Sequence, residues 1–175
     1  MVKNSSSKPK KVSAHPAAAA GANGVTIRQT TSADGPTVRA LITHILSAEF
    51  PKDQAAYPAA DLDRIDVSYG GPRDAFLVAE MDGRIVGTCA VKQEGQTTAL
   101  LRRLFVHQEC RGRGIGGQLV EAAIAHCRAQ GYRQMRIRTS DRMDTAIAVC
   151  LKKGFREDEQ IHLGNVRLIR FTLRV

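Results

Sequence analysis

Arg111-Gly112-Arg113-Gly114-Ile115-Gly116, followed at once by Gly117, is the stretch on which the reading of this chain turns. Its glycines leave backbone N–H groups open to an anion, and Arg111 and Arg113 add charge and bidentate geometry. Downstream, Ile115, Leu119, Ala122, Ala123 and Cys127 recur on one helical face, with Gln118, Glu121, Ala125 and Arg128 on the other. The spacing therefore predicts a helix over 114–130, stopped by Gly131 at its C′ position. A glycine loop that opens a helix meets the positive end of the helix dipole, so the segment reads as a phosphate-binding turn.

Glycines alone do not say which phosphate. Gly112, Gly114 and Gly117 also satisfy the GxGxxG pattern of dinucleotide folds. Against that pattern, His107 through Arg111 separate the loop from the strand before it, whereas a dinucleotide turn follows its strand directly. Only Asp141 stands near the end of the next strand to serve a ribose. An ATP-type loop is excluded, because Gly-Lys-Ser/Thr does not occur.

Working outward, the chain before the loop reads as an antiparallel meander. Ala75 to Met81 and Arg84 to Lys92 are rich in strand formers and joined by Asp82-Gly83, a two-residue hairpin signal. Ala99 to Val106 follows as a third strand after a Glu94-Gly95 turn. Earlier still, Val25, Ile27 and Gln29 open a short strand. Ser32 or Asp34 then offers an N-cap, and Pro36 suits a first helical turn. Val38, Leu41, Ile42, Ile45, Leu46 and Phe50 repeat at helical spacing as far as Pro51, and a short helix is expected around Ala59 to Val67. After the loop helix, Met135 and Ile137 alternate with Arg136 and Arg138 in a strand. Asp141 or Asp144 can cap a helix through Lys153, which Gly154 ends. Phe155 starts another strand, and Ile169, Phe171, Leu173 and Val175 alternate along the last.

The 175 residues suit one domain, placed at 25–175, behind a basic tail over 1–24 that carries Lys3, Lys8, Lys10 and Lys11 and no acid. That tail has no hydrophobic period and is expected to be disordered. A net charge of +9 asks for anionic partners. Nucleic acid is not favoured among them, because aromatic residues are 5% of the chain and Trp is absent. No apolar run is long enough to span a bilayer, so neither a membrane anchor nor membrane partners are expected, and a cytoplasmic protein is the default. Cys89, Cys110, Cys127 and Cys150 show no metal-ligand spacing, and no metal is expected.

The loop resembles the signature of the GCN5-related N-acetyltransferase superfamily, Gln/Arg-x-x-Gly-x-Gly/Ala. Arg103-Leu104-Phe105-Val106-His107 looks like that family's fourth strand, and Ala146 through Gly154-Phe155 is similar to its second motif. The likeness runs over about 25–175 with the elements in the same order. It implies an α+β fold in α/β/α layers: a mixed, mostly antiparallel sheet of roughly six to seven strands, splayed at the fourth and fifth, with about four helices. It also implies acetyl-CoA as acyl donor and a primary amine as acceptor, with direct transfer in a ternary complex. By the same resemblance, Leu104, Phe105 and Val106 would take the pantetheine arm, and Arg111, Gly112, Arg113, Gly114, Ile115, Gly116 and Gly117 the pyrophosphate. Lys152 and Lys153 stand near enough to meet the 3′-phosphate, and a homodimer through the last strands would suit the family.

The chain departs from that pattern at both expected proton-handling positions. The tyrosine of the second motif falls on Cys150, and the glutamate of the fourth strand falls near Leu100. Candidates for the missing roles are Cys150 as acid and Glu49, Glu94 or Asp141 as base. Tyr57 and Tyr69 lie where the family builds its acceptor site, to touch substrate or to cover the core. The two departures also admit a second function, a non-catalytic acyl-CoA-binding sensor or regulatory module.

Overall fold

A central sheet receives a helical layer on each face. The computed structural model describes Gly24 to Val175 and the backbone of Ala19–Ala20. The strands are β1 (Ala19–Ala20), β2 (Val25–Gln29), β3 (Ala75–Met81), β4 (Arg84–Gln93), β5 (Thr98–Val106), β6 (Gln134–Ser140), β7 (Arg156–Leu163) and β8 (Val166–Arg174). The helices are α1 (Gly35–Glu49), α2 (Ile65–Ser68), α3 (Ile115–Ala129) and α4 (Asp144–Lys152). Sheet order is β1-β2-β3-β4-β5-β6-β8-β7, antiparallel except for the parallel pair β5–β6. The expected layered, mostly antiparallel architecture is therefore present. The tail expected to be without structure lies outside the described residues except at Ala19–Ala20, which pair with Ile27 and Thr26.

Local signals account for most elements. Asp82 and Gly83 both take positive φ, 51° and 73°, as the two-residue turn between β3 and β4 requires. In α1 the residues Val38, Leu41, Ile42, Ile45 and Leu46 are buried, and with Phe76 and Val78 of β3 they form one core. On the opposite face Leu119, Val120, Ala123 and Cys127 of α3 pack on Val91, Leu101, Met135 and Ile137. Each large aliphatic side chain so buried contributes about 1.5–3 kcal/mol.

Three expectations are corrected in detail. The helix expected over 59–67 is a 3₁₀ turn at Ala60–Leu62 and then the four-residue α2. Arg64 breaks the run with φ −138° and ψ 76°, because Leu62 and Ile65 both turn into the core. Neither Ser32 nor Asp34 caps α1 with its side chain. Asp34 instead closes a 3₁₀ turn, accepting from the Thr31 N–H at 2.7 Å, and holds Arg28 at 2.7 Å. Asp144 begins α4 rather than capping it, and Asp141 pairs with Arg167 at 2.9 Å.

The sheet is split where the parallel pair ends. β5 and β6 are registered from Thr98 with Gln134 to Leu101 with Ile137, and no pairing follows beyond Leu101. Just past that point β5 bulges against β4 between the pairs Ala90–Arg102 and Thr88–Phe105, and Arg103 takes a φ of 53°. The sides of β5 exchange there: Leu101 belongs to the α3 core, and Phe105 to the α1 core.

Candidate functional site

The loop at the start of α3 is built as its glycines require. Gly112 and Gly114 have φ of 76° and 78°, a region L-residues adopt only under strain, and space is open around both. The first helical bond is donated by Gln118 to the Gly114 carbonyl at 3.1 Å, so the N–H groups of Ile115, Gly116 and Gly117 precede the helical ladder. Lys153 passes beside Gly117, its Cε 3.5 Å from where a Cβ would stand. Its ammonium pairs with Glu121 at 3.2 Å.

Arg111 behaves differently from expectation. Its guanidinium grips both carboxylate oxygens of Glu49 at 2.6 and 2.7 Å, and its Nε donates to the Val106 carbonyl at 2.9 Å. The charge expected to face an anion is taken up by Glu49, and the side chain ties the loop to the ends of α1 and β5. Arg113 lies 3.9 Å from the Met81 sulfur.

Two neighbouring cavities open along the split. One of about 190 Å³ is lined by Leu104, Phe105, Val106, Arg111 and Gly116, with Glu49, Asp144 and Val149. The other, about 450 Å³, runs between β5 and β6 from Leu100 to Phe105 and along Ile137, Arg138 and Thr139, under Tyr57, Leu163 and Leu168. Leu104, Phe105, Met143 and Ala146 line both, so the two adjoin at a shared wall and together make up a passage along the split. Leu104, Phe105 and Val106 thus line the smaller cavity together with Arg111 and Gly116 of the loop.

The proton-handling candidates are scattered. Cys150 is fully buried in the α3 core, where burial pushes its thiol up to about 12, and it lines neither cavity. Glu94 holds Arg138 at 2.9 Å and Arg136 at 3.4 Å. Asp141 is held by Arg167, and Glu49 by Arg111. Of the two tyrosines, Tyr57 lines the larger cavity and accepts from the Ser140 N–H at 2.7 Å, which leaves its own proton to donate. Burial raises the Tyr57 phenol and outweighs that hydrogen bond. Tyr69 packs edge-on against Phe76 and donates to Asp61.

A network beneath the passage escaped the sequence reading. Arg103 is almost wholly buried, donates from Nε to Asp61 at 3.1 Å and from Nη2 to the Pro58 carbonyl at 2.6 Å, and grips the second Asp61 oxygen with Nη2. Burial opposes ionisation of Asp61, but hydrogen bonds from Arg103 and Tyr69 overcome it and hold the carboxyl below its ordinary value. The signal was present: two successive arginines interrupt a mostly apolar strand, and a regular pleat would send one to each of its two faces.

The split mixed sheet, with a glycine loop and helix N-terminus beside the split, defines the class: a layered α+β fold whose sheet opens next to a backbone-lined turn. The chain belongs to the Acetyltransferase (GNAT) family, whose profile matches residues 39–155. It is similar to N-acetyltransferase family 8 member 2 of Rattus norvegicus, 35% identical over 103 residues, covering 56% of this chain and 46% of that one. The chain thus spans about half the length of the curated relatives it matches first. Among solved structures it resembles a GNAT-family acetyltransferase of Staphylococcus aureus, with a TM-score of 0.74 at 22% identity over 86% of this chain and 98% of that one. A Salmonella typhimurium acetyltransferase solved with its cofactor acetyl-CoA aligns with a TM-score of 0.72 at 21% identity over 87% and 94%. No helix among the described residues is long and apolar enough to cross a membrane.

Proposed function

We propose that this chain transfers the acetyl group of acetyl-CoA to a primary amine of a small molecule or peptide, by direct attack in a ternary complex, in the cytoplasm. The observation that carries the reading is the split beyond Leu101, which opens beside the glycine loop. Acetyl-CoA would supply the acyl group as an activated thioester. The N–H groups of Gly112 to Gly117, with their positive-φ glycines and the start of α3, fit its pyrophosphate, and Lys153 fits its 3′-phosphate. The edge of β5 at Leu104, Phe105 and Val106 would take the pantetheine arm as an added strand, and a backbone N–H there would stabilise charge on the thioester oxygen. The amine forms the C–N bond as the C–S bond breaks; one proton leaves the nitrogen and one returns to sulfur. The chain contributes mainly by holding the two partners in register. A homodimer through the last strands belongs to the proposal, since β7 forms the outer edge of the sheet.

Incubation with acetyl-CoA and a panel of amino acids, peptides, polyamines and aminoglycosides, following thiol release, tests the reading. Acceptor-dependent release is expected. A second reading, a non-catalytic acyl-CoA sensor, draws on the observation that no Asp or Glu lines the larger cavity among the described residues. Tight acetyl-CoA binding without turnover on any acceptor would select the sensor and reject the transferase.

A further inference from the structure

The bulge in β5 places Arg102 and Arg103 together toward Asp61, where a regular strand would send them to opposite faces. Arg102 reaches Asp61 only at 3.7 Å, since Arg103 already occupies both of its oxygens. Across the cleft Arg138 lines the facing wall and shares Glu94 with Arg136. Arg102, Arg103 and Arg138 line the cleft and, among the described residues, no Asp or Glu does, so its walls carry an excess of positive charge. Arg103 Nη1 is buried with no hydrogen-bond acceptor. Arg102 and Arg138 are partly exposed, at 37% and 44% of their side-chain surface, so both can reach a ligand. The remaining walls include apolar Leu100, Leu163 and Leu168.

We infer that the acceptor is a small primary amine that also carries a carboxylate, with an apolar substituent, and that Arg102 and Arg138 bind the carboxylate. The inference rests on the transferase reading for the placement of the acceptor in this cleft. Arginine's planar fork matches a carboxylate bidentately, and a charge-assisted pair in a partly dehydrated cleft outcompetes water. The same arginines repel an ammonium group, which favours the neutral amine that attacks. Polyamines and aminoglycosides, which bring only positive charge, are disfavoured on the same ground.

The test compares leucine with leucinamide, phenylalanine with phenethylamine, and both with spermidine, in thiol-release assays on the full chain with acetyl-CoA. The expected result is a kcat/KM for the acid about tenfold to a hundredfold above its partner lacking the carboxylate, as a charge-assisted hydrogen bond gives. Arg102→Gln and Arg138→Gln should each shrink that ratio several-fold, while calorimetric acetyl-CoA binding shows that both variants fold. Spermidine or the amides matching the acids, or ratios unmoved by both substitutions, would overturn the inference and leave the transferase reading intact. Should no amine turn over, binding of N-acetyl-leucine against N-acetyl-leucinamide in the presence of coenzyme A still decides. An acid preference of tenfold or more upholds the carboxylate site while the transferase reading fails, and equal binding removes it.

Discussion

The two ends of the passage present positive potential by different means. At the α3 end it comes from backbone N–H groups and two left-handed glycines, while the loop's own Arg111 is neutralised by Glu49. At the cleft end it comes from arginine side chains around Asp61 and Glu94. The first device depends on main-chain geometry and tolerates almost no substitution at its glycines. The second depends on side chains at and across from a bulge, of which the partly exposed Arg102 and Arg138 can be replaced with a change of charge while the buried Arg103–Asp61 pair stays in place. A fold that keeps the first and varies the second keeps one donor while changing acceptors.

The sharpest way to break this contrast is at its buried hinge. Asp61→Ala leaves the Arg103 guanidinium buried without its carboxylate, and should destabilise the protein by about 3 kcal/mol in urea denaturation. A loss below about 0.5 kcal/mol would show that the network does not hold the cleft. Next in size, Gly114→Val forces a β-branched residue to a φ of 78°. At about 1–2 kcal/mol of strain, acetyl-CoA affinity should fall roughly tenfold by calorimetry. The preference for acids over amides among acceptors should survive, because the other end is untouched. If both properties fell together, the two ends would not be separable.

The smallest effect is expected at Cys150. Cys150→Ala should leave kcat within about twofold, since the thiol reaches neither cavity, whereas a general acid would be missed by a factor of about 10² or more. Its signature is instead in stability. Burial raises Cys150 and Cys127 from 9.0 to about 12 in the folded chain. The folded state keeps thiol protons that the unfolded state sheds, so this contribution is complete below about pH 9 and lost as pH rises from 9 toward 12. Urea midpoints between pH 8 and 11 should fall above 9, less steeply in Cys150→Ala; equal slopes would place the thiol in solvent.

Much of the fold was legible because its signals are local. The turn at Asp82-Gly83, the period of Val38 to Leu46 and the glycines before α3 each act within a few residues, and each element formed where those residues stand. The helix expected over 59–67 failed because Leu62 and Ile65 answer to a core that the local period does not describe. The proton-handling candidates failed to converge for a related reason. Glu49, Glu94 and Asp141 each lie at the end of an element, and each found an arginine from elsewhere in the chain.

By itself, then, the sequence determined the hairpin, the helical periods and the glycine turn before α3, since glycine conformation and side-chain period are properties of neighbouring residues; the layered mixed sheet was implied by the family resemblance. Only the tertiary structure decided that Arg111 faces Glu49, that Cys150 is sealed in the core, and that a bulge turns Arg102 and Arg103 together onto Asp61. That last contact joins residues 42 positions apart. A charge finds its partner in space, and spacing along the chain does not record which carboxylate will be there.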